Sequence, residues 1–210
     1  MHYLITTGPT REFLDDVRFL SNASSGRMGC AVARAAAEQG HRVTLICGPV
    51  SCGLPPCDTL IPVTSAQEMH QAVLQNLDDA DAVVMTAAVA DYRPAQRLPG
   101  KIKKSDDDLV LLLECTPDIA AEIGRHKAGR THVGFALEPA ADPDAARDNA
   151  LRKLREKHLD LIVLNSPAAL GAAHARVEFL FASGETQAAG DLSKDDIARR
   201  IVAAVNQMRT

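Results

Sequence analysis

The sequence predicts an α/β domain, an open and mostly parallel sheet with helices on both faces, and three observations carry that reading. Short apolar, β-branched runs alternate with Ala-rich or amphipathic helical stretches, the rhythm of βαβ units. The run Leu159–Leu164 is apolar at all but one position, as a parallel strand covered on both faces requires. A polar stretch of 18 residues, Gly8 to Ser25, joins the first strand to a buried helix. Loops that long in a compact domain are usually functional, and open α/β sheets bind ligands at the carboxyl ends of their strands.

Taken in order, Tyr3–Thr7 reads as a strand and Cys30 to about Gln39 as a helix; His41–Cys47 is a strand, Ala66–Leu77 a helix and Ala82–Thr86 a strand, followed by a loop over Ala87–Lys104. Leu109–Leu113 then reads as a strand, Pro117–Gly124 as a helix with Pro in its first position, Thr131–Ala136 as a strand and Asp144–Lys157 as a long helix. After Leu159–Leu164, the segments Arg176–Ala182 and Thr186–Ala189 flank Ser183-Gly184-Glu185 as a hairpin. Ser193 caps a final amphipathic helix, Lys194–Met208. The expectation is one Rossmann-like domain over residues 1–210, with an added hairpin and no internal repeat.

Composition narrows the function classes. A net charge of −4, 3% aromatic residues and no Trp provide no basic, aromatic-lined surface, so no nucleic-acid partner is expected. The chain enters its first strand without a basic, apolar leader, and no apolar run approaches the roughly 18 residues of a spanning helix, so no membrane association and a cytoplasmic location are expected. Five cysteines fit no disulfide framework. Cys47, Cys52 and Cys57 recur at equal intervals, but without a C-x-x-C pair or nearby His pair they read as packing residues rather than a metal site.

Several segments carry the chemistry. Ser24-Ser25-Gly26 at a helix start offers hydroxyls and N–H groups at the positive end of a helix dipole, which suits phosphate; a plain Ser N-cap is the competing explanation. A dinucleotide fingerprint fails, because the helix opens late and the second strand ends in Cys47-Gly48 with no acid for a ribose. Ala87 and Ala88 let a ligand approach the backbone, and Asp91 after them could take Mg²⁺ or a ribose or simply be a solvated turn residue. Lys101-Ile102-Lys103-Lys104 is either a solvated charge run or a mobile cationic loop that closes over phosphates. Lys153 and Lys157 share a helix face near its C-terminus, where the dipole alone would favour them, and Phe135 could stack on a base or fill the core.

Together these segments resemble the phosphopantothenoylcysteine synthetase family. The matching motifs run in order: Thr7-Gly8-Pro9-Thr10-Arg11-Glu12, Val17-Arg18-Phe19-Leu20-Ser21-Asn22 with Ser24-Ser25-Gly26-Arg27-Met28-Gly29, Ala87–Pro94, Lys101–Lys104, Thr116–Ile119, Val133–Ala136 and Lys157–Ile162. The resemblance implies a ligase that activates 4′-phosphopantothenate with CTP, or ATP, as an acyl-nucleotide and then couples it to L-cysteine. It assigns Asn22 and Lys101 to catalysis, and Arg18, Asn22, Ala87 and Ala88 to the acid substrate. Gly8, Ser24, Ser25, Gly26, Asp91, Lys101, Phe135, Lys153 and Lys157 fall to the nucleotide, with Mg²⁺ on Asp91. It further implies a homodimer, with Leu109–Leu113 at the interface, and no flavin. The chain departs from the family pattern at Thr116, at Asn165-Ser166 and over Pro167–Ala175. Two rivals are a nicotinamide-dependent reductase, which lacks its fingerprint here, and an inactive nucleotide-binding regulator, which would not need Asn22 and Lys101.

Overall fold

A computed structural model describes residues 1–138, 142–169 and 172–209. Leu170 and Gly171, in the stretch that departs from the family pattern, lie outside the described residues. The chain runs β1 (His2–Thr7), β2 (Arg11–Phe13), β3 (Phe19–Ser21), α1 (Arg27–Glu38), β4 (Arg42–Cys47), β5 (Thr59–Pro62), α2 (Ala66–Asn76), β6 (Ala82–Met85), β7 (Tyr92–Pro94) and β8 (Leu113–Cys115). It continues with α3 (Ile119–Arg125), β9 (Thr131–Leu137), α4 (Pro143–Glu156), β10 (Leu161–Asn165), a 3₁₀ turn, β11 (His174–Phe181), β12 (Thr186–Ser193) and α5 (Lys194–Met208).

Eight strands form one sheet in the order β12-β11-β10-β9-β6-β1-β4-β5. Pairing is parallel from β5 to β10 and antiparallel through β11 and β12. The chain starts in β1, builds outward to β5, then crosses back to β6, so the order reverses between β1 and β6 and a crevice opens there at the carboxyl ends.

Alternation along the strands separates two cores. Tyr3 and Ile5 face α1 and α5, packing with Val32, Ile197, Ile201 and Val205, whereas Leu4 faces α2 and α3 with Met69, Val73 and Ile123. All six residues of β1 are buried, which only a strand covered on both faces shows. Truncating one of the fully buried α5 anchors, such as Ile201, costs about 2–5 kcal/mol. Four helices start on side-chain caps: Ser65 with Glu68 as a capping box on α2, Asp118 on α3, Asp142 on α4 and Ser193 on α5.

The structure differs from the sequence reading in several places. The long polar stretch contains the β2–β3 hairpin, clasped by an edge contact between Phe13 and Phe19. Thr59–Pro62 is an edge strand, where a Pro is tolerated because one side makes no ladder. The strand expected over Leu109–Leu113 is confined to Leu113–Cys115, since β7 offers partners for three residues only. Val110 and Leu112 are left 89% and 78% exposed. Pro117 precedes the Asp118 cap instead of opening α3, and neither Ser24 nor Ser25 caps α1, which starts at Gly26 in the left-handed region (φ 78°).

Candidate functional site

Two adjoining cavities occupy the crevice. The larger, about 530 Å³, brings together Asn22, Ala87, Ala88, Asp91, Phe135, Lys153 and Lys157. The smaller, about 180 Å³, lies against the start of α1, between Ser24–Gly29 and Asn165, with Arg27 and Lys194 in its wall. Ala87, Ala88, Phe135 and Leu137 border both, so the two read as one bipartite cleft.

Its floor is built by close backbone approach. Thr7 Oγ1 donates to the Gly26 carbonyl at 2.8 Å, and Ala88 N–H donates to the Gly8 carbonyl at 2.9 Å. Gly29 sits where a Cβ would fall 2.4 Å from side-chain atoms of both Thr7 and Thr86, so only glycine lets α1 reach the ends of β1 and β6. Gly8 serves the same turn: its φ is 81°, and a Cβ would meet Val50 at 2.8 Å. It lines neither cavity.

The β2–β3 hairpin is pinned over the cleft. Asn22 Nδ2 donates to the carbonyls of Ala88 (3.1 Å) and Val89 (3.0 Å), which fixes the hairpin exit against the β6–β7 connection. Ser21 Oγ donates to the Thr10 carbonyl, and the buried Glu12 carboxylate receives the Ala66 N–H at the start of α2. Asp15 gathers the turn. Its buried carboxylate accepts from the N–H groups of Val17, Arg18 and Ile102 and from Arg18 Nη1. Burial raises the Asp15 pKa, but those backbone donors and the Arg18 charge outweigh it and hold the carboxyl at about 2.

The same turn holds the basic loop. Gly100 N–H donates to Asp16 Oδ2, Asp16 N–H to the Gly100 carbonyl, and Arg18 Nη1 to the Ile102 carbonyl. The backbone on either side of Lys101 is thus anchored, where the sequence suggested little to hold it. Lys101 itself is exposed. Lys101 and Arg18 line neither of these two cavities.

Both lysines of the larger cavity are held by carboxylates. Lys153 Nζ meets Glu138 Oε1 at 2.5 Å, and Lys157 Nζ meets Asp118 Oδ2 at 2.8 Å. Burial raises the Asp118 pKa, yet the Lys157 hydrogen bond, the Ala121 N–H and nearby cations bring it below the ordinary carboxylate value. Asp91 has no side-chain hydrogen bond or ion pair among the described residues. In the smaller cavity, burial and then the adjacent Arg27 charge lower the Lys194 pKa. Asn165 Oδ1 is buried there with no partner among the described residues.

Sequence reasoning missed Arg27, Lys194 and Asp15. Arg27 stood inside a quoted motif without a role, and Lys194 was read only as the first residue of a capped helix. Asp15 carried a weak signal, an Asp-Asp pair between two short β-prone segments. Thr116, a departure from the family pattern, lines the larger cavity and donates through Oγ1 to the Ala90 carbonyl.

The model for the DNA/pantothenate metabolism flavoprotein C-terminal domain matches residues 1–208. The coenzyme A biosynthesis bifunctional protein CoaBC of Bacillus subtilis (strain 168) is 42% identical over 209 residues, covering 97% of this chain and 50% of that protein. The chain therefore spans about half the length of this curated relative. A crystal structure of the C-terminal domain of CoaBC superimposes with a TM-score of 0.84 at 37% identity, covering 99% of this chain and 94% of that one. A Cab2 variant in complex with phosphopantothenate-cysteine shares the fold at a TM-score of 0.78 and 18% identity, over 98% of this chain and 86% of that one. With a match over nearly its whole length, the chain belongs to the DNA/pantothenate metabolism flavoprotein C-terminal domain family, and the synthetase resemblance drawn from its ordered motifs holds.

Proposed function

We propose that this chain is a phosphopantothenate–cysteine ligase of coenzyme A biosynthesis that activates 4′-phosphopantothenate with a nucleoside triphosphate, CTP in preference to ATP. The observation that carries the reading is the bipartite cleft, in which a carboxylate, two lysines and an aromatic ring adjoin a helix N-terminus flanked by two further cations. An anion at that terminus would accept from α1 N–H groups and relieve the mutual repulsion of Arg27 and Lys194.

In the first step a carboxylate oxygen of the acid attacks the α-phosphorus, and the bond to pyrophosphate breaks. In the second, the cysteine amine attacks the acyl carbon, loses a proton and expels the nucleoside monophosphate. No residue need act as a nucleophile; catalysis rests on placing cations and donors around the transferring phosphoryl group. Lys153 and Lys157 exchange their carboxylate partners for the triphosphate, and Phe135 stacks on the base. Asn22 holds the acyl-nucleotide beside Ala87 and Ala88, and Lys101 descends from its anchored loop onto the phosphates. A Mg²⁺ fits Asp91, since one unpaired carboxylate completed by substrate phosphates is the usual arrangement for that ion, and it would neutralise phosphate charge there. The reading assigns no flavin to this chain and implies a cytoplasmic location.

The same reading makes the enzyme a homodimer. Val17, Phe19, Leu109, Val110 and Leu112 are exposed apolar side chains, and self-complementary burial covers such a surface. Arg18, at the hairpin tip, then reaches the acid substrate of the other subunit. Mixing inactive Arg18→Ala and Asn22→Asp subunits recovers part of the activity if sites are shared, and a fully active monomer in light scattering rules this out.

The deciding experiment measures pyrophosphate release with CTP or ATP and 4′-phosphopantothenate, with and without cysteine. Release that requires the acid, with coupled product only when cysteine is added, supports the ligase. Absence of release with either nucleotide overturns it.

A further inference from the structure

Beneath the smaller cavity lies a group of thiols for which the ligation has no use. Cys30, in the first turn of α1, is 2% exposed, while Cys52, in the connection from β4 to β5, is half-buried. Their sulfur atoms lie 3.5 Å apart, and Cys52 Sγ lies 3.3 Å from the carbonyl oxygen of Ser25, in the turn that faces the cavity. No three thiol, imidazole or carboxylate groups are placed to hold one metal ion among the described residues, so the cluster has no metal to explain it.

We propose that Cys30 and Cys52 are a reversible dithiol–disulfide pair, oxidised by small disulfides such as cystine, whose closure distorts the Ser25–Gly26 turn and weakens anion binding in the smaller cavity. The coupling rests on the anion site proposed above; the pairing itself does not. Cys52, the more accessible thiol, attacks one sulfur of cystine as its thiolate, the cystine S–S bond breaks, and one cysteine leaves. Cys30 then gives up its proton and attacks Cys52 Sγ, forming the internal disulfide and expelling the second cysteine. Two protein thiols are oxidised and one cystine is reduced to two cysteines. Burial pushes the Cys30 thiol up to about 12, which leaves the first attack to Cys52; Cys30 reacts once its target sulfur is held beside it.

The mechanical consequence follows from lengths. A disulfide is about 2.05 Å long, so the sulfurs must close by roughly 1.5 Å, and Cys52 leaves the Ser25 carbonyl. Val50 packs directly against this turn, close enough that a Cβ on Gly26 would fall 2.2 Å from Val50 Cγ1, and one on Gly8 2.8 Å. Drawing the Val50–Cys52 segment toward α1 therefore displaces the turn that presents its N–H groups to the cavity.

The test uses the full chain and inorganic triphosphate as the probe. After cystine treatment, the expected result is a fall from five free thiols to three, a Cys30–Cys52 link in peptide mass mapping and at least fivefold weaker triphosphate binding by calorimetry. Dithiothreitol restores the affinity, Cys52→Ala retains it through the treatment, and Cys57→Ala responds as the parent does. Five remaining thiols, or a link through Cys47, Cys57 or Cys115, overturns the pairing. A Cys30–Cys52 link with unchanged affinity overturns the coupling. A reduced protein that binds no triphosphate overturns the anion site and the coupling with it, while the peptide map still decides the pair.

Discussion

The two ends of the parallel sheet treat their charges differently. At the amino ends, Lys127 meets Asp160, Arg130 meets Asp78, and Arg209 bonds Asp81 and the carbonyls of Asp81 and Gly129. Asp160 also takes the His132 N–H, and the His2 ring lies between Thr44 and the Asp79 carbonyl. A hollow exists there too, walled by Lys127, Arg130, Asp160 and Arg209, yet each of these charges already has its opposite. At the carboxyl ends, Asp91 in the wall of the larger cavity stands unpaired among the described residues, and Asn165 Oδ1 is buried without a partner among those residues. Open volume does not distinguish a site from a crease; a wall charge with neither an ion pair nor a hydrogen bond does.

Substitution at the two ends should therefore separate turnover from stability. The largest effect is expected for Asn22→Asp, which sets a carboxylate against the Ala88 and Val89 carbonyls now served by the amide. Turnover should fall by about 10²–10³, the range for losing one preorganised contact, with melting shifted by less than about 3 °C. Near-normal pyrophosphate release by this variant would dissolve the distinction.

At the opposite end, His132 predicts a stability effect with no change in chemistry. It is fully buried, neither ring nitrogen has a partner among the described residues, and burial pushes its pKa from 6.5 down to about 4. The neutral ring is accommodated above pH 6.5. As pH falls toward 4 the unfolded chain takes up a proton that the fold resists, so stability is lost across that window, by about 2–3 kcal/mol. Denaturant midpoints at pH 7.5 and 4.5 should converge for His132→Leu more than for the parent; equal pH slopes in the two proteins would show that another group governs the loss.

Two smaller effects sharpen the contrast. Glu138→Gln removes the carboxylate that competes for Lys153, so triphosphate binding should tighten about threefold to tenfold in calorimetry. Weaker binding would mean that Glu138 positions the lysine instead. Asp78→Ala deletes an exposed partner of Arg130 at the amino end, where chemical unfolding should register at most about 1 kcal/mol.

What was legible in the sequence followed from burial on both faces. Strands β1, β4, β6, β9 and β10 show as apolar runs because both of their faces are covered, and the cap at Ser193 is local chemistry, whereas the caps at Asp118 and Asp142 emerged only in the structure. β5 escaped because an edge strand has few core positions and ends in Pro62. The β2–β3 hairpin escaped because three-residue strands give too few alternations to register. At the site, Asn22, Asp91, Phe135, Lys153 and Lys157, named from separate segments of the sequence, line one cavity. Arg27 and Lys194 lie 167 positions apart, and no local pattern announces that α5 begins beside the start of α1.

Asp15 joins two loops whose sequences lie more than 80 residues apart: its one carboxylate accepts three hydrogen bonds from Val17 and Arg18 in its own turn and a fourth from the Ile102 N–H of the basic loop. Such a joint acts as a pin: the hairpin tip and the basic loop can swing together about it but cannot drift apart. The backbones that carry Arg18 and Lys101 then move as one body, and the conformational freedom lost when they are ordered is that of one body instead of two.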